Sequence, residues 1–306
     1  MILLVAITGR DCTQLIAQLQ TLLPDIDVQL WSECDDYNRV QFVLAWHAPN
    51  ELWGKLPNLK VVSSFGAGID SIDLAALDSD VQVVRIVDKQ LAEDMAEYVL
   101  GHVLAHKLRL REYFYKQAEQ YWQPKRAYGH KHVGILGFGE LGKACAKRLL
   151  NNNFLVSAWS ASNKHHESVN CYHGKHGLAK MLPTIDYLVC LLPLNTTTHG
   201  IINAPLLDKL PQHAVFINVA RGNHVVEADL LTALDNDRLR GATLDVCVQE
   251  PLPKKHIFWH HEKITLTPHC AAISDLNSVT AQIADNAKRL VLGKSLRNKV
   301  DRTKGY

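Results

Sequence analysis

The 306-residue sequence has no polybasic run, no C-x-x-C pair, no apolar stretch as long as a membrane span and no low-complexity linker. Its 33 basic and 31 acidic residues are interspersed and leave a formal charge of +2, which argues against a nucleic acid or an anionic membrane as partner. The opening MILLVAITGR is too short in its apolar part for a secretory signal and lacks a basic region before it, so it reads as a first buried strand. Seven cysteines (Cys12, Cys34, Cys145, Cys171, Cys190, Cys247 and Cys270) are scattered and odd in number, which suits free thiols in a reducing compartment and makes the cytoplasm the expected address. Among the 16 histidines, the adjacent pairs His165-His166 and His260-His261 lack spaced acidic or cysteine partners, so no metal site is expected there.

What is present is alternation. From Met1 to about Val87, short apolar runs (ILLVAI, DVQLW, FVLAWH, LKVVSSF, VQVVRIV) are separated by stretches of helical period such as Thr13 to Leu23, the signature of a parallel sheet. Glu93 to Trp122 reads as a long helical bridge out of this region, closed by Pro124. A second alternation follows, with strands expected at HVGIL, FLVSAW, YLVCLL, AVFINV, ATLDVC and KITLTP. Six such strands fit a doubly wound dinucleotide-binding domain. Beyond Pro268, Ser274 or Asp275 caps a last helix that Gly293 stops, and this helix is expected to return to the first region. The expected fold is α/β: two doubly wound parallel-sheet domains, with a Rossmann-type domain of residues 99–273 inserted into a discontinuous flavodoxin-like domain of residues 1–98 and 274–306.

The stretch HVGILGFGELGKACAKRLL gives the insertion its chemistry. Gly137-Phe138-Gly139-Glu140-Leu141-Gly142 matches G-x-G-x-x-G between an apolar strand and a helix. Gly137 allows the tight turn, Gly139 lets a pyrophosphate approach the backbone and Gly142 lets helix and strand pack closely. The free N–H groups that open the helix then face the phosphates.

Three further stretches near strand ends, NVARGNHVVE, LDVCVQEPLP and LTPHCAAI, carry Arg221, Glu250 and His269. In an open parallel sheet, ligands gather outside the carboxyl ends of the strands, so these three side chains are expected to converge. Arg221 can hold a carboxylate through two parallel hydrogen bonds, His269 can exchange a proton near neutral pH, and Glu250 can bind the second ring nitrogen. Taken singly, each residue also fits a structural role.

On the glycine fingerprint and the Arg, Glu and His stretches, the chain resembles the D-isomer-specific 2-hydroxyacid dehydrogenases nearly end to end. Within them it looks most like the bacterial glyoxylate/hydroxypyruvate reductase A group, through LAWHAPNELW, SSFGAGIDSI, YWQP, RGNHVVEADLL and VDRTKGY. The resemblance implies a two-domain reductase of small 2-oxo acids with its active site in the cleft. Arg221 would bind the substrate carboxylate and carbonyl, His269 give the proton and Glu250 pair with His269. It also implies that Trp46 and the backbone of Gly66-Ala67-Gly68 line the substrate side, that Asp245 sits by the nicotinamide, and that the protein is a homodimer. Two other readings stay open on the same residues: an NAD(H)-sensing regulator, and a dehydrogenase of a larger 2-hydroxy acid.

One absence bears on the cofactor. About 20 residues beyond the glycine turn an NAD-selective site carries Asp or Glu for the ribose hydroxyls. Here the stretch reads AWSASNKHH, with no carboxylate and no arginine. Ser160, Ser162 and Lys164 are the candidates to bind a 2′-phosphate, with His165 as a further positive charge. NADPH is therefore the expected cofactor, with NADH possible.

Overall fold

The computed structural model describes residues 1–302, so the end of the VDRTKGY stretch lies outside the described residues. The chain divides into two compact units, Met1–Gln90 with the segment from Ser274 onward, and Leu91–Ile273.

The first unit contains β1 (Ile2–Ile7), α1 (Thr13–Leu22), β2 (Asp27–Leu30), β3 (Val40–Trp46), β4 (Val61–Ser64) and β5 (Gln82–Val84), with the C-terminal helix Leu276–Val291. Its parallel sheet has the order β2-β1-β3-β4-β5. Every residue of β1 is buried, because its side chains alternate between two cores. Leu3, Val5 and Ile7 join α1 and the C-terminal helix on one face, and Ile2, Leu4 and Ala6 fill the other. The C-terminal helix starts where Asp275 accepts the amide of Ser278 and stops before Gly293, whose φ of +63° suits glycine.

The second unit contains α2 (Lys89–Lys107), which crosses the boundary between the units, then α3 (Leu110–Ala118), β6 (His132–Leu136), α4 (Glu140–Asn151), β7 (Leu155–Ser160) and β8 (Asn170–His173). It continues with α5 (Gly174–Met181), β9 (Tyr187–Cys190), α6 (Ala204–Leu207), β10 (Val215–Asn218), α7 (Glu227–Asp235), β11 (Gly241–Leu244) and β12 (Ile264–Leu266). The parallel sheet runs β12-β11-β10-β9-β6-β7-β8. The order reverses between β6 and β9, the switch point at which such sheets bind ligands.

Three expectations need correction. The first boundary falls at 90/91 and not at 98/99, because Met95, Ala96, Val99 and Val103 of α2 are packed into the core of the second unit. The helical bridge is two helices, broken at Arg109, whose φ of +61° turns the chain and brings its guanidinium over the Tyr128 ring. The second sheet has seven strands: β8 is a half-exposed edge with no apolar run, and so it carries no periodic signal.

Candidate active site

The glycine turn follows β6. Gly137 adopts φ +101°, and a Cβ there would lie 2.6 Å from the carbonyl oxygen of Leu191, so both conformation and space demand glycine. A Cβ on Gly142 would lie 2.1 Å from the Gly137 carbonyl oxygen, which brings the first turn of α4 against the loop. Gly139, the N-cap of α4, faces open space: nothing lies within 4 Å of the position its Cβ would take. This cradle fits a dinucleotide pyrophosphate, with helix amides behind it. The other residues of the motif contribute differently. Phe138 is a buried core side chain, so only its backbone can face a cofactor; Leu141 packs against the same core, and Glu140 is exposed and paired with Lys143 at 3.2 Å. Ser160 ends β7 and its hydroxyl donates to the Ser162 carbonyl at 2.8 Å, while Ser162 and Lys164 are exposed.

On the other side of the switch point, the loops after β10, β11 and β12 carry the reactive groups. Glu250 Oε2 meets Nδ1 of His269 at 2.7 Å, and Glu250 Oε1 accepts the Cys247 amide at 2.9 Å. The carboxylate thereby fixes the ring and leaves Nε2 of His269 as the nitrogen open to a ligand. Burial opposes ionisation of Glu250, yet the hydrogen bonds from His269 and the Cys247 amide, with the charges of His269 and Arg221, outweigh it and hold the carboxyl below its usual range. Arg221 thus joins the pair through its charge, and its Nη1 donates to the Ala220 carbonyl at 2.7 Å.

The backbone around these side chains is tightly braced. Buried Asn218 donates to the Arg221 carbonyl at 2.9 Å and accepts the Ala220 amide at 3.2 Å. Gly222 lies so close to the next loop that a Cβ would fall 2.0 Å from the Cys247 carbonyl carbon, locking the arginine loop to the glutamate loop. His269 has φ +53°, a conformation uncommon for a side-chain-bearing residue, and its amide donates to the Asp245 carbonyl at 2.8 Å.

Asp245 is buried and committed to this same loop. Its Oδ1 accepts the Thr267 hydroxyl at 2.6 Å and the Cys270 amide at 2.9 Å, and its Oδ2 accepts the Ala271 amide at 3.0 Å. This bracing role was not legible in the sequence, where Asp245 stood only as a neighbour of the nicotinamide.

The first unit places the remaining candidates. Trp46 ends β3 and covers Gly66, where a Cβ would come within 3.0 Å of the indole. Arg10 lies over the same indole, 5.7 Å from its centroid. Trp46 is therefore partly a packing residue. The Gly66 amide donates to Ser64 Oγ at 3.2 Å and is not a spare carboxylate donor; Ser64 Oγ donates in turn to the Gly68 carbonyl at 2.6 Å. The amides of Ala67 and Gly68 have no partner among the described residues.

One histidine cluster lay outside the expectations. His130, Asp186 and His213 bring three donor atoms within 4.8 Å of one another. The two imidazoles are stacked 4.0 Å apart with their planes 2° from parallel, and His130 Nδ1 lies 3.3 Å from the same Asp186 oxygen that meets His213. Asp186 accepts His213 Nε2 at 2.7 Å and the amides of Lys131 and His132 at 2.8 Å each.

A glycine cradle at the switch point of a parallel sheet, flanked by an oriented imidazole and an arginine, defines the class: a nicotinamide-dependent oxidoreductase. The sequence model of the D-isomer specific 2-hydroxyacid dehydrogenase family, NAD binding domain, matches residues 100–271. The glyoxylate/hydroxypyruvate reductase A of Serratia proteamaculans (strain 568) is 38% identical over 299 residues, covering 95% of each chain. A D-isomer specific 2-hydroxyacid dehydrogenase from Xanthobacter autotrophicus Py2, solved with NADPH and MES, superposes with a TM-score of 0.92 at 35% identity and 99% coverage of both chains. The NADPH-dependent glyoxylate/hydroxypyruvate reductase of Sinorhizobium meliloti, solved with NADP and sulfate, gives a TM-score of 0.91 at 34% identity, covering 100% of this chain and 99% of that one. The chain belongs to the D-isomer specific 2-hydroxyacid dehydrogenase family and is an NAD(P)-dependent 2-hydroxyacid dehydrogenase acting on a small molecule. Among the described residues no helix is long and apolar enough to cross a membrane.

Proposed function

We propose that the protein reduces small 2-oxo acids with NADPH, taking glyoxylate to glycolate and hydroxypyruvate to D-glycerate. The observation that carries this reading is the 2.7 Å contact between Glu250 and His269 Nδ1, which leaves Nε2 as the proton-bearing nitrogen next to the arginine loop. When bound, the reduced nicotinamide supplies the hydride that adds to C2 of the oxo acid. His269 gives its Nε2 proton to the carbonyl oxygen as charge develops there, and the ionised Glu250 favours the imidazolium that makes this transfer. Arg221 binds the substrate carboxylate and stabilises the carbonyl oxygen. Trp46 and the Gly66–Gly68 turn are the proposed substrate contacts of the first unit, with the Ala67 and Gly68 amides as the donors. Asp245 keeps its place by the nicotinamide only through acceptor capacity left on its carboxylate oxygens.

The loop after β7 supports NADPH: Ser160, Ser162 and Lys164 put hydroxyls and a cation where an NAD-selective site has a carboxylate. The names of the relatives, and the NADPH and NADP bound in the solved ones, point the same way. A homodimer belongs to the proposal, supported by the exposed aromatics Phe114, Tyr115, Tyr121 and Trp122, and so does a cytoplasmic address, supported by seven free thiols. The test is a panel of glyoxylate, hydroxypyruvate, phenylpyruvate and 3-phosphohydroxypyruvate with NADPH, alongside the mass of the protein in solution by light scattering. Glyoxylate and hydroxypyruvate should give the highest kcat/KM. A preference for phenylpyruvate or the phosphorylated acid would replace this reading with a dehydrogenase of larger acids.

A further inference from the structure

The loop that carries His269 is tied to helix α2 by a hydrogen-bond chain whose direction can be worked out. Asp245 Oδ1 and Oδ2 together accept two backbone amides and the Thr267 hydroxyl, the pattern of an ionised carboxylate, which donates nothing. The Thr267 hydrogen is therefore spent on Asp245. The contact between Thr267 Oγ1 and the Tyr98 hydroxyl then has only one possible donor, the phenol. The chain runs Tyr98 to Thr267 to Asp245, and Asp245 closes it by holding the amides on both sides of the catalytic ring, Cys270 and Ala271 directly and His269 through its own carbonyl.

We infer that Tyr98 is a positioning residue for proton transfer: through Thr267 and Asp245 it holds the left-handed turn at His269 that aims the imidazole at the substrate. Three features support the role. His269 has φ +53°, so its conformation depends on outside restraint. Tyr98 lies on α2 beside Val99, which like Val103 is fully buried in the core of the second unit, so the phenol projects from an anchored element. Burial, reinforced by the charge of Asp245, pushes the Tyr98 phenol well above its usual range despite the opposing hydrogen bond to Thr267, and keeps it a donor at any working pH. His102, its ring 4.3 Å from that of Tyr98, is held neutral by burial and does not compete as a charged donor.

The inference rests on His269 being the proton donor, and the experiment separates the two. Steady-state kinetics with glyoxylate and NADPH are measured for wild type, Tyr98→Phe, Thr267→Val, Thr267→Ser, the Tyr98→Phe/Thr267→Val double variant and His269→Ala, with NADPH affinity taken from fluorescence titration. Loss of the chain should lower kcat about tenfold in Tyr98→Phe and in Thr267→Val, as expected for one buried hydrogen bond. KM for glyoxylate and NADPH affinity should stay within about twofold, and the double variant should be no worse than Thr267→Val, because both changes cut one chain. Thr267→Ser, which keeps the hydroxyl, should recover most of what Thr267→Val loses. Independent, additive losses, or full kcat in Tyr98→Phe while His269→Ala is inactive, would overturn the chain alone. Retained turnover in His269→Ala would overturn the proton-donor reading beneath it. If Tyr98→Phe does not fold, the comparison of Thr267→Ser with Thr267→Val still decides.

Discussion

His269 has one ring nitrogen committed and the other open, and the proposed mechanism turns on that asymmetry. Glu250 Oε2 holds the committed nitrogen, and the same contact helps keep the Glu250 carboxyl low. Replacing Glu250 with Gln removes the carboxylate that fixes Nδ1 of His269, so kcat for glyoxylate should fall while NADPH affinity holds. Unchanged kcat at normal NADPH affinity would separate Glu250 from His269 function. The sign for stability is the opposite of that of a raised base. Because Glu250 is depressed in the folded chain, its contribution is present above the ordinary carboxylate range and is lost as pH falls through its folded value. Arg221→Lys keeps the charge but loses the planar fork, so kcat/KM for glyoxylate should fall about a hundredfold with NADPH binding little changed; the reverse pattern in kinetics and titration would place Arg221 on the cofactor. The approach of Glu250 to His269, with the Arg221 charge near enough to act on the carboxylate, could be anticipated because each of the three follows an apolar strand. The engagement of the Gly66 amide by Ser64 could not, since nothing in SSFGAGIDSI distinguishes a bonded amide from an open one.

Among the elements, those with strong apolar periods were read nearly to their ends, and β6 matched HVGIL to the residue. The misses share a cause: β8 and the break between α2 and α3 are set by tertiary contacts of polar residues, β8 by pairing to β7 and the break by the seating of Arg109 on Tyr128. The glycines make two predictions at this scale. Gly142→Ala drives a methyl into the Gly137 carbonyl and should destabilise the second unit by about 2 kcal/mol while weakening NADPH binding, seen by thermal denaturation and titration. Gly222→Ala forces the arginine loop off the Cys247 backbone; it should lower kcat/KM more than it lowers NADPH affinity, because the displaced loop carries Arg221. A Gly222→Ala protein with unaltered kinetics would show that this close approach has no part in aligning the site.

For the whole molecule, the sequence revealed two parallel sheets and a discontinuous first unit, since the return of the C-terminal helix followed from its place beyond the last strand. It located the first boundary less well, because α2 runs through it without a break and only its packing shows which core it serves. At this scale the competing accounts also diverge: a reductase turns the bound nucleotide over, and a nucleotide sensor holds it. The deciding measurement follows NADPH absorbance on adding glyoxylate to the purified protein, with glycolate quantified in the same sample and His269→Ala run beside it. The account predicts one glycolate formed for each NADPH consumed, faster than with NADH, and loss of nearly all turnover in a His269→Ala protein that still binds NADPH. NADPH bound by the wild-type protein without glyoxylate-dependent oxidation would contradict it.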